Sequence, residues 1–175
     1  MILTRLIKLT DRFAGPVLMK VFPKSVFKRE ATQKIQQILV IRPGGMGDAL
    51  LLLPVLKGIN LNYHAQIDIL CEPRNKPVFE CCPHINRIFS YQNPLALCTV
   101  LKSKYDAVID TEQSHFLSAL VARIIRSPIR LGFNTFNRDR LFTHSAKYKK
   151  GPETDNFHNL FCTIFKMDSP LRSAR

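Results

Sequence analysis

The 175 residues contain no tryptophan, only seven glycines, and half as many acidic as basic side chains (13 Asp and Glu against 26 Lys and Arg). Each shortage excludes something. The chain has neither a helix-turn-helix pattern nor the aromatic pattern of an RNP-type sheet, so the usual readers of nucleic acid are missing despite the basicity. No cysteine pair has C-x-x-C spacing and no two histidines stand close enough to share one ion, which argues against a zinc site. The five cysteines are an odd number without a secretory signal, the usage of a reducing, cytoplasmic protein. Charges interrupt every long apolar stretch. A membrane-spanning helix, which needs about 20 mostly apolar residues, is therefore excluded, as is the core of a signal peptide. The phosphate-binding strings G-x-x-x-x-G-K-[ST] and G-x-G-x-x-G are also lacking.

What remains is an ordinary folding composition, 46% apolar and 22% charged, in a length suited to one domain. The net charge of +13 is concentrated in two places. One is residues 1–29, with Arg5, Lys8, Arg12, Lys20, Lys24, Lys28 and Arg29 against Asp11. The other is residues 123–150, with Arg123, Arg126, Arg130, Arg138, Arg140, Lys147, Lys149 and Lys150 against Asp139. Such patches attract anions: lipid headgroups, nucleotide phosphates or nucleic acid. In the first patch Ile2, Leu3, Leu6, Ile7, Leu9 and Phe13 recur at helical intervals, with Arg5, Lys8 and Arg12 on the other side. Two apolar partners fit that pattern, an anionic membrane leaflet and the domain's own surface.

Beyond the arm, apolar runs alternate with helical patterns. Strands are predicted at 38–41, 67–71, 87–91, 107–110 and 129–133, and helices at 49–60, 76–82, 94–103, 116–125 and 155–165. Residues 134–150 read as a long basic loop. A kink is expected at Pro54. Strand–helix alternation of this kind predicts an α/β fold, a Rossmann-like parallel sheet with helices on both faces.

The first strand runs into Arg42-Pro43-Gly44-Gly45-Met46-Gly47-Asp48. A glycine-rich turn there lies at the carboxyl edge of the sheet, where ligands bind in such folds. Asp48, directly after Gly47, has two readings from spacing alone: the N-cap of the following helix, or a general base that takes a proton from an attacking hydroxyl.

The string from Ile38 to Asp48, followed by Leu53-Pro54-Val55-Leu56, resembles the opening of family 9 glycosyltransferases, the heptosyltransferase group. Further landmarks fall in the family's order: Pro83-His84-Ile85-Asn86-Arg87-Ile88, Tyr105-Asp106-Ala107-Val108-Ile109-Asp110, Ser118-Ala119-Leu120 and Arg130-Leu131-Gly132-Phe133. The resemblance covers about residues 36–165. It implies the N-terminal half of a GT-B fold and an inverting, metal-independent transfer from a nucleotide diphosphate sugar, the donor substrate. No cofactor is implied. The acceptor would be a glycan or glycolipid of the cell envelope, as in lipopolysaccharide synthesis. It also implies Asp48 as the base, with Gly44, Gly45, Met46, Gly47, Glu112, Gln113 and His115 on the acceptor side. Glu112 and His115 read equally as solvated loop residues. The loop Asp110-Thr111-Glu112-Gln113-Ser114-His115 departs from the family's Asp-x-Gln-Gly, which points away from an inner-core heptose acceptor.

The resemblance divides the chain into a basic amphipathic arm (1–36), an acceptor-side domain (37–150) and a helix leading toward a missing donor domain (151–175). The expectation is a glycosyltransferase half, incomplete by itself, cytoplasmic or peripheral on the inner face of the cytoplasmic membrane. Its competitor is a basic module that binds a membrane surface or nucleic acid without catalysis, although no nucleic-acid partner is expected.

Overall fold

The computed structural model describes residues 35–167; all but the last two positions of the basic arm lie outside that range. Six parallel strands form one sheet: β1 (Gln37–Arg42), β2 (Gln66–Cys71), β3 (Arg87–Ser90), β4 (Ala107–Asp110), β5 (Ile129–Phe133) and β6 (His144–Ala146). Their order is β3-β2-β1-β4-β5-β6, that of a doubly wound nucleotide-binding sheet. The helices are α1 (Met46–Tyr63), α2 (Lys76–Glu80), α3 (Pro94–Lys102), α4 (Phe116–Ile124) and α5 (Glu153–Phe161).

The apolar runs become strands buried on both faces. In β1 and β2 every residue after the first is buried. Alternation then sorts the side chains between two layers. Ile38 and Val40 point into a core with Leu52, Leu56 and Ile59 of α1, Phe79 of α2 and Phe157, Leu160 and Phe161 of α5. Leu39 and Ile41 point the other way, toward Val100 of α3, Ala119 and Ala122 of α4, Leu141 and Phe142.

All five predicted strands are present, and three features differ from expectation. The stretch read as a loop over 134–150 contains a 3-10 segment (Thr135–Leu141) and the strand β6, paired with β5 through Leu131↔His144 and Phe133↔Ala146. His-Ser-Ala has no apolar run to betray a strand; it is held by the ladder and by Tyr148, packed edge-on against Phe133 at 5.3 Å. The first helix begins at Met46, earlier than predicted, and continues as a single helix through Pro54, which sits on its exposed side. The helix placed after position 150, finally, packs into the core of this same domain.

Two of the family-like motifs converge on one buried carboxylate. Asp68 of β2 accepts hydrogen bonds from Asn86 Nδ2 (2.9 Å), Arg87 Nη2 (2.7 Å) and the Tyr105 hydroxyl (3.0 Å). Asp106 accepts from the backbone N–H groups of Gln36 and Gln37, both at 2.9 Å. These motifs hold the entries of the strands in place. They lie away from the glycine turn, and their role is structural.

Candidate active site

β1 leads into α1 on one face of the sheet, and β4 leads into α4 on the other. The two connections part company between adjacent strands, leaving a crevice at the sheet's carboxyl edge. The glycine turn forms one wall and the loop from Thr111 to His115 the other.

Arg42, the last residue of β1, is only 2% exposed, and its surroundings account for its burial. One guanidinium nitrogen donates to the Thr111 carbonyl at 2.8 Å, the other to Asp48 Oδ2, and the ring of Phe157 lies 5.4 Å from the guanidinium carbon. Thr111 is tied to β1 through the Ile41 carbonyl, which accepts from both its N–H (3.1 Å) and its hydroxyl (2.9 Å). Gly44 is required by close approach, since a Cβ there would sit 2.7 Å from Arg42 Nη2. Asn75 braces the turn by donating to the Gly44 carbonyl at 2.7 Å.

Asp48 is not the N-cap. Gly45 holds that position, without a side-chain bond, and Asp48 is the third residue of α1, where the helix's positive end favours an anion. Its side chain is 35% exposed. Oδ2 is engaged by Arg42, and no hydrogen bond occupies Oδ1 among the described residues. Beside it a Cβ on Gly47 would meet nothing within 4 Å, and Met46 is half exposed, so this side of the turn faces open space.

The opposite wall is tightly organised. Glu112 is 5% exposed, which corrects its reading as a solvated loop residue. Its Oε1 accepts from the N–H of Gln113, the N–H of Ser114 and the Ser114 hydroxyl, at 2.9–3.0 Å. Burial would raise its pKa, but the Ser114 hydrogen bonds and the charges of His115 and Arg42 outweigh burial and hold it below the usual value. Two residues earlier the balance reverses. Asp110 is completely buried and paired with Arg138, also completely buried, and it accepts further bonds from Ser118 and the Glu112 N–H. Burial pushes its carboxyl up to about 6 despite the Arg138 charge. Arg138 also donates to the Glu112 carbonyl and so fastens the loop from beneath.

Gln113 reaches sideways. Its amide nitrogen lies 3.3 Å from the Tyr148 hydroxyl and 3.5 Å from Glu153 Oε1, and Tyr148 donates to that same Glu153 oxygen. The Glu153 hydrogen bond, then burial, then the charges of Glu153 and Asp48 push the Tyr148 hydroxyl up to about 12. The buried Gln113 Oε1 and Glu153 Oε2 have no hydrogen-bond partner among the described residues. His115 is half buried and caps α4 with its backbone.

The structure therefore brings Asp48, Gly44, Gly45, Met46 and Gly47 to one wall and Glu112, Gln113 and His115 to the other. Arg42 and Tyr148 link the two. Sequence reasoning passed over Arg42, Asn75, Arg138, Tyr148 and Glu153 as site residues. Arg42 was visible as a cation six residues before a carboxylate at the turn, whereas the other four are brought in by tertiary packing. Among the described residues no helix is long and apolar enough to cross a membrane, and no group of three or more His, Cys, Asp or Glu side chains converges.

The sheet order and the crevice define a Rossmann-like α/β unit of the type that builds GT-B glycosyltransferases. Solved structures with this fold include the Escherichia coli heptosyltransferase WaaC with ADP, at TM-score 0.68 and 19% identity over 78% of this chain and 49% of that one. The glycosyl transferase family 9 structure from Veillonella parvula matches at TM-score 0.63 and 18% identity over 79% and 44%. Escherichia coli ADP-heptose lps heptosyltransferase II matches at 0.60 and 19% over 74% and 40%. The chain thus spans half or less of the length of these proteins. No family profile and no curated protein sequence matches it. The resemblance read from the motifs is matched at the level of fold.

Proposed function

We propose that this domain is the acceptor side of an inverting glycosyltransferase and that Asp48 is its general base. The observation that carries the proposal is the asymmetry of the Asp48 carboxylate. One oxygen is locked by a buried arginine, the other has no hydrogen bond among the described residues, and the part-exposed carboxylate stands beside the open Gly47 of a glycine turn at the sheet's switch point. An acceptor hydroxyl entering over Gly47 meets Oδ1, which takes its proton as the oxygen attacks the anomeric carbon of the donor sugar. The bond from that carbon to the diphosphate breaks on the opposite side, and the diphosphate departs with the electron pair. Arg42 keeps the carboxylate in place and does not itself take the proton. No step in this scheme requires a metal or cofactor.

The donor is proposed to be a nucleotide diphosphate sugar, by analogy with solved neighbours described with ADP and ADP-2-deoxy-2-fluoro heptose. Its nucleotide is proposed to bind a part of the transferase outside the described residues. The acceptor class is a cell-envelope glycan or glycolipid, and the basic segment 1–29 is proposed to hold the enzyme against an anionic leaflet at the cytoplasmic face.

The test uses the complete transferase carrying this domain, a panel of nucleotide diphosphate sugars and an envelope glycolipid extract. Asp48→Asn preserves the shape of the side chain and removes the proton acceptor. Turnover is expected to fall by ~10²–10⁴-fold with little change in thermal unfolding. Near-normal turnover in the Asn variant would reduce Asp48 to a structural residue.

A further inference from the structure

At the other end of the sheet, where β1, β2, β4 and β5 begin, lies a second concavity of about 1010 Å³. Its lining includes Lys104, Arg123, Arg126 and Arg130, with Asp106 as the one carboxylate among its lining residues. Asp106 is already committed, because its Oδ2 accepts the N–H groups of Gln36 and Gln37. Among the described residues Lys104, Arg123 and Arg126 have no ion-pair partner.

Ordinary surface or helix electrostatics do not explain this arrangement. A cation in the last turn of a helix complements the helix's negative end, and that accounts for Arg123 in α4. Lys104, Arg126 and Arg130 lie outside any helix. The backbone also forces like charges together. Lys104 and Arg126 are partners in an isolated parallel bridge, with Tyr105 N–H donating to the Arg126 carbonyl at 3.2 Å. Directly paired like charges are unfavourable. Arg130 is 8% exposed and donates to the Ser127 carbonyl at 2.7 Å. Burial first, and the nearby charge of Arg123 second, favour its losing a proton. The Arg123 Nε is buried and has no hydrogen-bond partner among the described residues.

A concave, partly desolvated cluster of guanidinium and ammonium groups is relieved by an anion with several oxygens and more than one charge. A carboxylate offers one charge and two oxygens. A phosphoryl group offers up to two charges and three oxygens, and guanidinium pairs with it bidentately. We propose that this amino-end concavity is a binding site for a phosphoryl group, held by Lys104, Arg123, Arg126 and Arg130. The phosphoryl group belongs either to a free phosphorylated metabolite or to an anionic lipid headgroup. The site is separate from the Asp48 crevice and does not depend on the function proposed for it.

The experiment uses the full 175-residue chain and a Lys104→Gln/Arg126→Gln double variant, both positions being exposed. Sodium pyrophosphate is titrated calorimetrically at low ionic strength, and co-sedimentation is measured with phosphatidylglycerol and phosphatidylcholine vesicles. At least a tenfold loss of pyrophosphate affinity, with an unchanged or raised unfolding temperature, identifies a soluble phosphoryl ligand. The same loss confined to phosphatidylglycerol vesicles identifies a headgroup and leaves the site standing. If the variant binds both probes as the parent chain does, or if the parent chain binds neither, the proposal is overturned.

Discussion

At the carboxyl end of the sheet Arg42 and Arg138 are both buried, and each meets a carboxylate and a backbone carbonyl: Asp48 with Thr111, and Asp110 with Glu112. At the amino end Lys104, Arg123 and Arg126 crowd one concavity without a carboxylate partner among the described residues. The sequence shows only a basic stretch over 123–150; the fold splits it, sending Arg138 to one pole and Arg123, Arg126 and Arg130 to the other. Matched cations inside a domain hold loops in register, and removing one strands a charge. Unmatched cations in a cleft contribute nothing to holding the fold and remain available to a ligand.

The largest effect that should separate the poles is Arg138→Met. It strands Asp110 in a fully buried position, and we expect a loss of about 3–5 kcal/mol in urea unfolding at neutral pH. The pH dependence fixes the cause. The carboxyl of Asp110 already sits near 6 in the folded protein, above its unfolded value, so the folded state holds the proton more tightly. The stability from this group is present at low pH and is lost as pH rises through about 6. Without Arg138 the folded value climbs above 6, so the penalty of the variant should shrink as pH falls from that higher value to about 6, below which both folded forms hold the proton and the penalty levels off. A penalty that does not vary with pH would mean that lost packing, not a stranded charge, is responsible.

A smaller effect is expected at Gly44→Ala. The added methyl meets Arg42 Nη2, so the guanidinium must move off Asp48 or the turn must open. Overpacking of this kind costs about 1–3 kcal/mol. In the complete transferase it should also lower turnover, because the carboxylate loses its anchor. Full activity in this variant would separate the Arg42 pair from the chemistry.

Smallest of all should be Arg126→Gln at the amino end. Its change in stability, measured by thermal unfolding, should lie within about 0.5 kcal/mol and favour the variant. A clear destabilisation would show that the amino-end cations have a hidden structural partner and would erase the contrast between the poles.

Much of the fold could be read in the sequence because both of its signals are local. Runs such as Ile38–Ile41 and Ala107–Asp110 need no distant information to be strands, and the glycine turn announces itself. The β6 strand could not be read, because three small or polar residues become a strand only when β5 offers a ladder. The site was half legible for the same reason. Asp48 follows the turn directly, and its partial exposure could be anticipated. Its displacement from the cap position depended on where the helix would start. Tyr148 and Glu153 come from beyond β6, and the pairing of Arg138 with Asp110 spans 28 positions through a 3-10 segment with two left-handed residues, Phe136 and Asn137. No local pattern encodes such a meeting.

The ring of Phe157 beneath Arg42 has a consequence for the order of events during synthesis. The arginine and its glycine turn emerge early, whereas the aromatic ring that covers them is added more than a hundred residues later. At a translation rate of about 5–20 residues per second, the interval is on the order of ten seconds. Throughout it the first strand and helix exist without their floor, and Glu153, in the same late helix, has yet to reach Tyr148. The crevice is therefore completed from its far end. A nascent chain halted before position 153 would carry Asp48 and the glycine turn and still lack the surface that fixes them.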